Sequence, residues 1–186
     1  MEEKTTDFIK ELITFAIIAI VIVVPIRFFV AKPFIVNGDS MYPTFETGNY
    51  LIVDQLSYRF NEPERGDVII FKFPENTSKF FIKRIIGLPG ETVIIEGTDV
   101  YILKEGSKER ELLNEDFITL NRDTFVTKKL SEDEFFVMGD NRLASLDSRA
   151  WGPLNKDYII GRAYVRLLPF NKIGVLPGSI EYDYAK

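Results

Sequence analysis

The sequence predicts a mostly β fold of antiparallel sheets, with a barrel-like main domain, a small inserted lobe and one N-terminal transmembrane helix. Three observations predict it. Seven short runs rich in β-branched and aromatic residues alternate with period two. Turn signals such as Arg-Gly-Asp at residues 65–67 and Leu-Pro-Gly-Glu at residues 88–91 separate several of these runs. A single apolar stretch precedes all of them.

The composition excludes several kinds of site. The 186-residue chain is 46% hydrophobic, which is enough to bury a core. Its net charge of −5 and the lack of a basic run give no footprint for nucleic acid. Cysteine and histidine are both absent, so disulfides, thiol nucleophiles and Ser-His-Asp triads are excluded and the usual zinc sites are disfavoured. We expect no metal or cofactor, and acid–base chemistry would fall to Lys, Asp, Glu or Tyr.

The apolar stretch over residues 12–31 is predicted to be a retained membrane anchor. As a helix it would be roughly 30 Å long, about the thickness of the hydrocarbon core. Its one charged residue, Arg27, stands near the far end. A cleaved signal peptide is the alternative, but it would have a shorter apolar core, and residues 33–36 do not supply a small-x-small cleavage site. Two basic residues flank each side, so charge alone does not set the orientation.

The rest of the chain divides by pattern. Strands are predicted over residues 50–53, 67–73, 80–86, 92–95, 100–103, 134–138 and 161–165. The predicted division is a short tail (1–11), the anchor (12–31), the first part of the β core (32–95), an inserted polar lobe or hairpin (96–131), the second part of the core (132–174) and a C-terminal tail (175–186). The lobe is assigned to residues 96–131 because they are charged and weakly periodic.

A serine directly beyond the anchor is the first candidate for chemistry. Residues 37–44 read Asn-Gly-Asp-Ser-Met-Tyr-Pro-Thr. Gly38 permits unusual backbone angles and Pro43 fixes its own φ, so the segment can present the Ser40 hydroxyl on a rigid turn. The alternative is an ordinary turn between strands, since Gly-Asp-Ser is a common turn sequence.

Lys83 is the second candidate, because it interrupts a strand that is apolar on both sides. If its side chain points inward, desolvation disfavours the ammonium and lowers the pKa, which makes a neutral amine available as a base. The alternative is an edge position with the charged group in water.

The third candidate is the polar segment over residues 139–153, which follows an apolar strand. Its hydroxyls, carboxylates, amide and arginines could orient a catalytic group, with Asp147 and Arg149 paired to brace the loop. The alternative is a solvated loop with a surface ion pair of little energetic value.

Together, these stretches resemble the conserved boxes of type I signal peptidases (leader peptidases), which are membrane-anchored serine–lysine proteases. The matching segments are residues 40–44 (Ser-Met-Tyr-Pro-Thr), 65–68 (Arg-Gly-Asp-Val), 83–91 (Lys-Arg-Ile-Ile-Gly-Leu-Pro-Gly-Glu), 139–149 (Gly-Asp-Asn-Arg-Leu-Ala-Ser-Leu-Asp-Ser-Arg) and the ending 166–174. The resemblance runs from the anchor to about Gly174, and four boxes in order make it specific. The single span and small lobe are similar to the compact Gram-positive-type enzymes.

The resemblance implies a role for each matching residue. Ser40 would be the nucleophile, Lys83 the general base, and Ser145 the hydroxyl that hydrogen-bonds and orients the lysine amine. The implied supporting residues are Asp147, Arg149 and, nearby, Arg84. Some family members carry a serine, which helps to stabilise the oxyanion, where this chain has Gly38. The Ser40 backbone N–H can still donate, while the second oxyanion donor stays unassigned.

The resemblance also implies a substrate and a location. The family removes signal peptides from exported preproteins after small residues at the −1 and −3 positions. The candidate pocket walls are Val36, Met41, Phe81 and Ile82, which flank the Ser–Lys pair in sequence. Ser40 lies nine residues beyond the predicted anchor, which holds it near the bilayer surface. We therefore expect a single-pass protein of the cell membrane, with a cytoplasmic N-terminus and its catalytic domain on the outer face.

Two alternatives stay open at this point. A self-cleaving repressor-type Ser–Lys protease would carry a DNA-binding helix-turn-helix domain and a self-cleavage loop, whereas this chain has an apolar span. A non-enzymatic membrane-anchored β module, such as a pilus-assembly relative or accessory protein, would have lost its catalytic pair. Ser40, Lys83 and Ser145 are all present.

Overall fold

A computed structural model of the chain describes residues 2–25, 31–182 and 184–185. Its elements in chain order are helix α1 (Glu2–Pro25), β1 (Ala31–Ile35), β2 (Tyr50–Asp54), β3 (Val68–Phe73), β4 (Asn76–Gly87), β5 (Thr92–Gly97), β6 (Asp99–Leu103), β7 (Arg110–Leu113), β8 (Thr124–Lys129), β9 (Glu134–Met138), helix α2 (Ser148–Trp151), β10 (Leu154–Asn155), β11 (Ile159–Leu168), β12 (Gly174–Val175) and β13 (Tyr184–Ala185). Short 3₁₀ helices occupy Ser57–Arg59, Lys156–Tyr158 and Phe170–Lys172.

The strands form two sheets. The first has the order β1-β2-β11-β3-β4-β9-β10, with β12 also paired to β11. The second has the order β13-β7-β6-β5-β8. Every described strand pairing is antiparallel. This confirms the predicted mostly β, antiparallel fold, and all seven predicted strands are present.

The barrel-like arrangement is not found. Within the described residues neither sheet closes on itself, because β1 and β10 are free edges of the first sheet. The backbone of β11 bends at register shifts against both of its long neighbours. Such irregularities curve a sheet without closing it. The main domain is therefore a curved open sheet packed against a smaller one.

Three buried clusters hold the sheets together. One fills the space between the two sheets; it contains Ile86, Val93, Ile95, Val100, Ile102, Leu113, Leu130, Phe136 and Met138. The other two lie on the first sheet, and β3 contributes to both: Val68 and Ile70 to one, Ile69 and Phe71 to the other. Alternation along a strand sends neighbouring side chains to opposite faces. Because β3 is buried on both faces, the second half of the adjacent β4 carries Lys83 and Arg84 into a largely water-free interior.

The predicted boundaries shift at both ends and at the lobe. The tail predicted over residues 1–11 lies within α1 from Glu2 onward. The lobe predicted over residues 96–131 corresponds to a sheet that already begins at Thr92 and is extended by the C-terminal β13. The reason is pairing: β5 pairs with β6 and β8 along its whole length, so it belongs to the lobe.

The N-terminal segment also differs from the prediction over residues 12–31. Helix α1 is described over Glu2–Pro25, residues 26–30 lie outside the described part of the chain, and Ala31 is the first residue of strand β1. Ala31 pairs with Asp54 of β2, which fixes it in the sheet. No helix among the described residues combines the length and the apolarity that crossing a membrane requires.

Candidate active site

The loop between β1 and β2, residues 36–49, presents the Ser40 hydroxyl. Gly38, near the start of this loop, has φ +102°, a backbone conformation that L side chains rarely adopt. The Tyr42 N–H then donates to the Asp39 carbonyl at 3.1 Å, which tightens the turn around Ser40. Met41 is fully buried in the core and anchors this turn. Ser40 is consequently half-exposed on a turn that the buried Met41 side chain fixes to the core.

Lys83 reaches the same point from strand β4. Its Nζ lies 2.7 Å from Ser40 Oγ and donates to the Ile82 carbonyl at 2.9 Å. The residue is only 3% exposed. Burial lowers the pKa of the Lys83 amine from 10.5 to about 8, although the Asp147 and Asp140 carboxylates oppose the change. A hydroxyl and a partly deprotonated amine are therefore in hydrogen-bond contact.

The loop over residues 139–149 closes over the serine segment. The Asn141 N–H donates to the Ser40 carbonyl at 3.0 Å, and its Nδ2 donates to the Asp39 carbonyl at 3.1 Å. Gly139 packs so closely that a Cβ there would overlap the Ser40 carbonyl oxygen and Ser145 Oγ. Only glycine allows this approach, so the two loops behave as one packed unit.

Asp147 and Arg149, predicted as a bracing pair, form a buried ion pair at one end of this loop. Arg149 Nε and Nη2 donate to the two Asp147 carboxylate oxygens, each at 2.8 Å, and Nη2 also donates to the Arg142 carbonyl at 3.0 Å. The Gly139 N–H donates to the same carboxylate at 3.1 Å. Burial disfavours the charged carboxylate, but the guanidinium and these hydrogen bonds hold the pKa of Asp147 below its usual value.

Arg84, predicted near the catalytic pair, supports the 139–149 loop from the adjacent position on β4. Its Nε and Nη2 donate to the two oxygens of Asp140 at 2.8 and 2.6 Å, and both side chains are almost fully buried. Thr44 Oγ1 donates to the same carboxylate at 2.5 Å. Arg84 Nη1 donates to the Gly66 carbonyl at 2.8 Å and to the Gly178 carbonyl at 2.5 Å. This guanidinium thus joins both loops to the C-terminal segment.

Ser145 is placed beside the pair without being joined to Lys83. Its hydroxyl is buried and lacks a well-formed hydrogen bond among the described residues. It faces the Asp147 carboxylate closely enough to help lower the pKa of that group. The Ser145–Lys83 hydrogen bond that the family resemblance implies is therefore not formed in this structure.

An apolar cleft of about 320 Å³ opens next to the Ser40–Lys83 pair. Three of the four predicted pocket residues, Val36, Phe81 and Ile82, line it. Met41 does not, because its side chain points into the core beneath the serine turn. The remaining walls come from residues 34–40, Leu51, Ile70, Phe80, Lys83, Ala144 and Leu146.

Some of these residues escaped prediction from the sequence. Asp140 and Thr44 lie within the predicted segments, but nothing in their spacing shows that they meet on one guanidinium. Ala144 and Leu146 flank Ser145, and Leu146 stands half-exposed at the cleft. The available signal is the apolar Leu-Ala step at residues 143–144 and the leucine at 146 in an otherwise polar loop. The described residues contain no group of three or more acidic side chains placed to hold a metal ion.

Comparisons with known proteins agree with this geometry. The family model described as signal peptidase, peptidase S26, matches residues 9–168. A probable signal peptidase I-1 of Synechocystis sp. is 38% identical over 97% of this chain and 92% of its own length. A signal peptidase I of Leptolyngbya laminosa is 41% identical over 89% of this chain and 82% of its own. Signal peptidase I T of Bacillus subtilis is 36% identical, covering 84% of each chain.

Proposed function

The chain belongs to the signal peptidase family, peptidase S26, and on this premise we propose that it removes signal peptides from exported preproteins. The observation that carries the proposal is the contact between a buried lysine of lowered pKa and a serine hydroxyl, 2.7 Å apart beside an apolar cleft. Lysine is the residue that acquires base strength near neutral pH by burial. The contact between the two side chains also argues against the non-catalytic β module.

In the proposed mechanism the neutral Lys83 amine takes the proton of the Ser40 hydroxyl as Oγ attacks the carbonyl carbon after the −1 residue. The resulting ammonium gives this proton to the departing amine, and the peptide bond breaks to leave an acyl ester on Ser40. Lys83 then takes a proton from the water that hydrolyses the ester, and returns it to Ser40 Oγ. Each proton that leaves one group arrives on another, so no cofactor is required.

The developing oxyanion needs donors at fixed positions. The Ser40 backbone N–H makes no hydrogen bond to the described part of the chain, which leaves it able to donate to the substrate oxygen. Gly38 has no hydroxyl to offer, and its own N–H already donates to Thr47 Oγ1 at 2.9 Å. One donor is therefore assigned to Ser40.

The supporting residues would act on the pair by position. Asp147, braced by Arg149, fixes the loop on which Ser145 stands, and Arg84 fixes Asp140 in the same loop. We propose that Ser145 turns its hydroxyl to the lysine when substrate binds, since it is otherwise a buried hydroxyl without a well-formed hydrogen bond.

The cleft suits small apolar side chains in an extended peptide. Phe81, Ile82 and Val36 occupy its walls with bulky apolar groups next to Ser40, which would favour small side chains there. A peptide added as a strand between residues 34–38 and residues 80–83 would turn alternate side chains toward these walls. The −1 and −3 residues of a signal peptide alternate in this way.

We further propose that the protein works at the outer face of a membrane, with its N-terminus in the cytoplasm. Apolar side chains of α1 stand exposed on all sides; they are Ile9, Leu12, Ile13, Phe15, Ile17, Ile18, Ile20 and Val21. A second exposed apolar group lies at the end of β11 and beyond; it comprises Leu167, Leu168, Phe170, Ile173 and Val175. Such surfaces are unfavourable in water and favourable in lipid. Flotation of the protein with lipid vesicles, and its loss from the floating fraction when residues 2–25 are deleted, tests this attachment.

The cleavage itself is tested with a preprotein that carries an Ala-x-Ala site. The purified full chain in detergent is expected to release a mature product that begins directly after the −1 alanine, as read by mass spectrometry. A matched preprotein with phenylalanine at −1 is expected to stay intact, because the bulky walls of the proposed −1 site would exclude a large ring. Failure to cut the alanine substrate, or equal cutting of the two, contradicts the proposed function.

A further inference from the structure

The segment between β7 and β8 contacts the 139–149 loop through the carboxylate of Glu115. Glu115 lies in the segment between β7 and β8, and its side chain is only 9% exposed. Its two oxygens accept from Arg142 Nη1 at 2.6 Å and Nη2 at 2.5 Å. The Arg142 side chain is 1% exposed. Such a bidentate pair, removed from water, fixes the mutual orientation of the two segments that it joins.

Arg142 passes this constraint to the centre of the site. Its Nε donates to the Gly139 carbonyl at 3.0 Å. Gly139 is the residue that packs against the Ser40 carbonyl and Ser145, and its N–H donates to Asp147. The Arg142 guanidinium therefore fixes the backbone of Gly139. Gly139 in turn contacts the Ser40 segment and the far end of the 139–149 loop at Asp147.

The C-terminal segment completes the same connection. Strand β13 pairs with β7, and just before it the Tyr182 hydroxyl donates to Glu115 Oε1 at 3.2 Å. The Tyr182 ring meets Phe117 edge to face at 6.0 Å between centroids. Burial, followed by the nearby Glu115 charge, raises the pKa of Tyr182 well above its usual value, so this hydroxyl stays a neutral donor. The contacts form one path from the C-terminal segment to Gly139.

A purely stabilising role does not account for this path well. Burying an arginine and a glutamate costs desolvation energy that an apolar pair of the same size would avoid. A buried, fully satisfied ion pair does give orientation, and this one ends on the residue packed against Ser40 and Ser145. None of its members lines the cleft. Its influence should therefore fall on the chemical step and leave substrate binding unchanged.

We propose that Glu115, Arg142 and Tyr182 are positioning residues, through which the second sheet and the C-terminal segment hold the 139–149 loop against the Ser40–Lys83 pair. The inference rests on the proposed function, because it assigns these residues to the same cleavage reaction. It gives the inserted lobe a catalytic purpose and makes the C-terminal segment part of the working site.

The test compares Tyr182→Phe, Glu115→Gln and the double variant, using the full chain and the Ala-x-Ala preprotein. Tyr182→Phe removes one hydroxyl and keeps the ring; kcat is expected to fall about 5-fold, the usual effect of one lost hydrogen bond. Glu115→Gln removes the charge, and we expect kcat to fall about 50-fold, as for a lost charge-assisted pair. In both variants KM should stay within about twofold of the parent. The double variant should match Glu115→Gln, because Tyr182 acts through that carboxylate.

Tyr101→Phe is the matched control. The Tyr101 hydroxyl donates to Asp99 at 3.4 Å on the exposed side of the same sheet, with no path to the site. Its removal should leave kcat unchanged. Thermal unfolding of each variant establishes that it is folded, and if Glu115→Gln does not fold, the kcat and KM of Tyr182→Phe decide.

The outcomes separate this inference from the proposed function. A parent chain that cuts no preprotein refutes the proposed function. An active parent with Tyr182→Phe and Glu115→Gln variants of unchanged kcat overturns the positioning role alone. A rise in KM at constant kcat, or additive effects in the double variant, would overturn it as well, since the residues would then act on binding or independently.

Discussion

Burial of Lys83 predicts a specific effect of pH on the stability of the folded protein. The side chain is 3% exposed, and its pKa lies at about 8 in place of 10.5. At about 1.4 kcal/mol for each pKa unit, this difference corresponds to about 3 kcal/mol of disfavoured ammonium in the folded state. The replacement Lys83→Met keeps most of the volume and removes the charge.

The sign follows from proton binding. Below pH 8 both the folded and the unfolded chain carry a protonated Lys83, and the folded protein bears the full cost of the buried ammonium. Between pH 8 and 10.5 the unfolded chain binds a proton that the folded chain has released, so the stability of the parent rises with pH. The Lys83→Met variant lacks this rise. Its free energy of unfolding relative to the parent should therefore fall by about 3 kcal/mol as the pH increases through this window.

Urea denaturation at several pH values from 6.5 to 10.5 measures this difference. The variant also loses contacts to Ser40 Oγ and the Ile82 carbonyl, at about 1 kcal/mol each, but this loss is largely independent of pH. Lys79→Met, at an exposed position, corrects for the loss of a lysine as such. A difference between Lys83→Met and the parent that stays constant from pH 6.5 to 10.5 would refute the desolvation of Lys83.

Three further predictions concern the site. The value of kcat/KM should rise with pH through a midpoint near 8, because only the neutral Lys83 amine of the free enzyme accepts a proton; a midpoint near 10 in the pH profile of kcat/KM would contradict this. Asp140→Asn leaves the Arg84 guanidinium buried without its charge partner, and chemical denaturation should show a loss of about 3–5 kcal/mol; a loss below 1 kcal/mol would speak against a tight pair. Gly139→Ala forces the two loops apart, so kcat should fall at least about 100-fold. The control Gly174→Ala, whose added methyl group meets open space, should stay active, and equal activities of the two variants would show that the close packing is dispensable.

The first sheet was predictable because burial and period coincide there. Residues such as Ile69 and Ile70 alternate between two buried clusters, and the resulting short β-branched runs, bounded by turn residues, favour strands. Lys83 stood out for the same reason, as a charge within an apolar run. Its proximity to Ser40 came from the family resemblance, because a contact across 43 residues leaves no local pattern.

The lobe and the C-terminus were harder to predict for a physical reason. Strand β8 has only intermediate or exposed side chains, so its sequence is polar and the alternation is weak. Strand β13 is held by two residue pairs to β7, which is too short for a periodic signal. Glu115 and Arg142 form a buried ion pair between segments 27 residues apart. Charged residues are expected at the surface, so the sequence gives no sign of this buried pair. The sequence predicts Met41 in the pocket because it follows Ser40, whereas the turn directs its side chain into the core.

The central claim is that the Ser40 hydroxyl and the Lys83 amine together cut the substrate. Its most direct test measures cleavage of the Ala-x-Ala preprotein at pH 8 by the parent, Ser40→Ala and Lys83→Ala, each verified as folded by circular dichroism. Loss of the nucleophile or of the base should reduce the rate by at least about 100-fold in either variant. Cleavage by either variant at the rate of the parent would contradict the account.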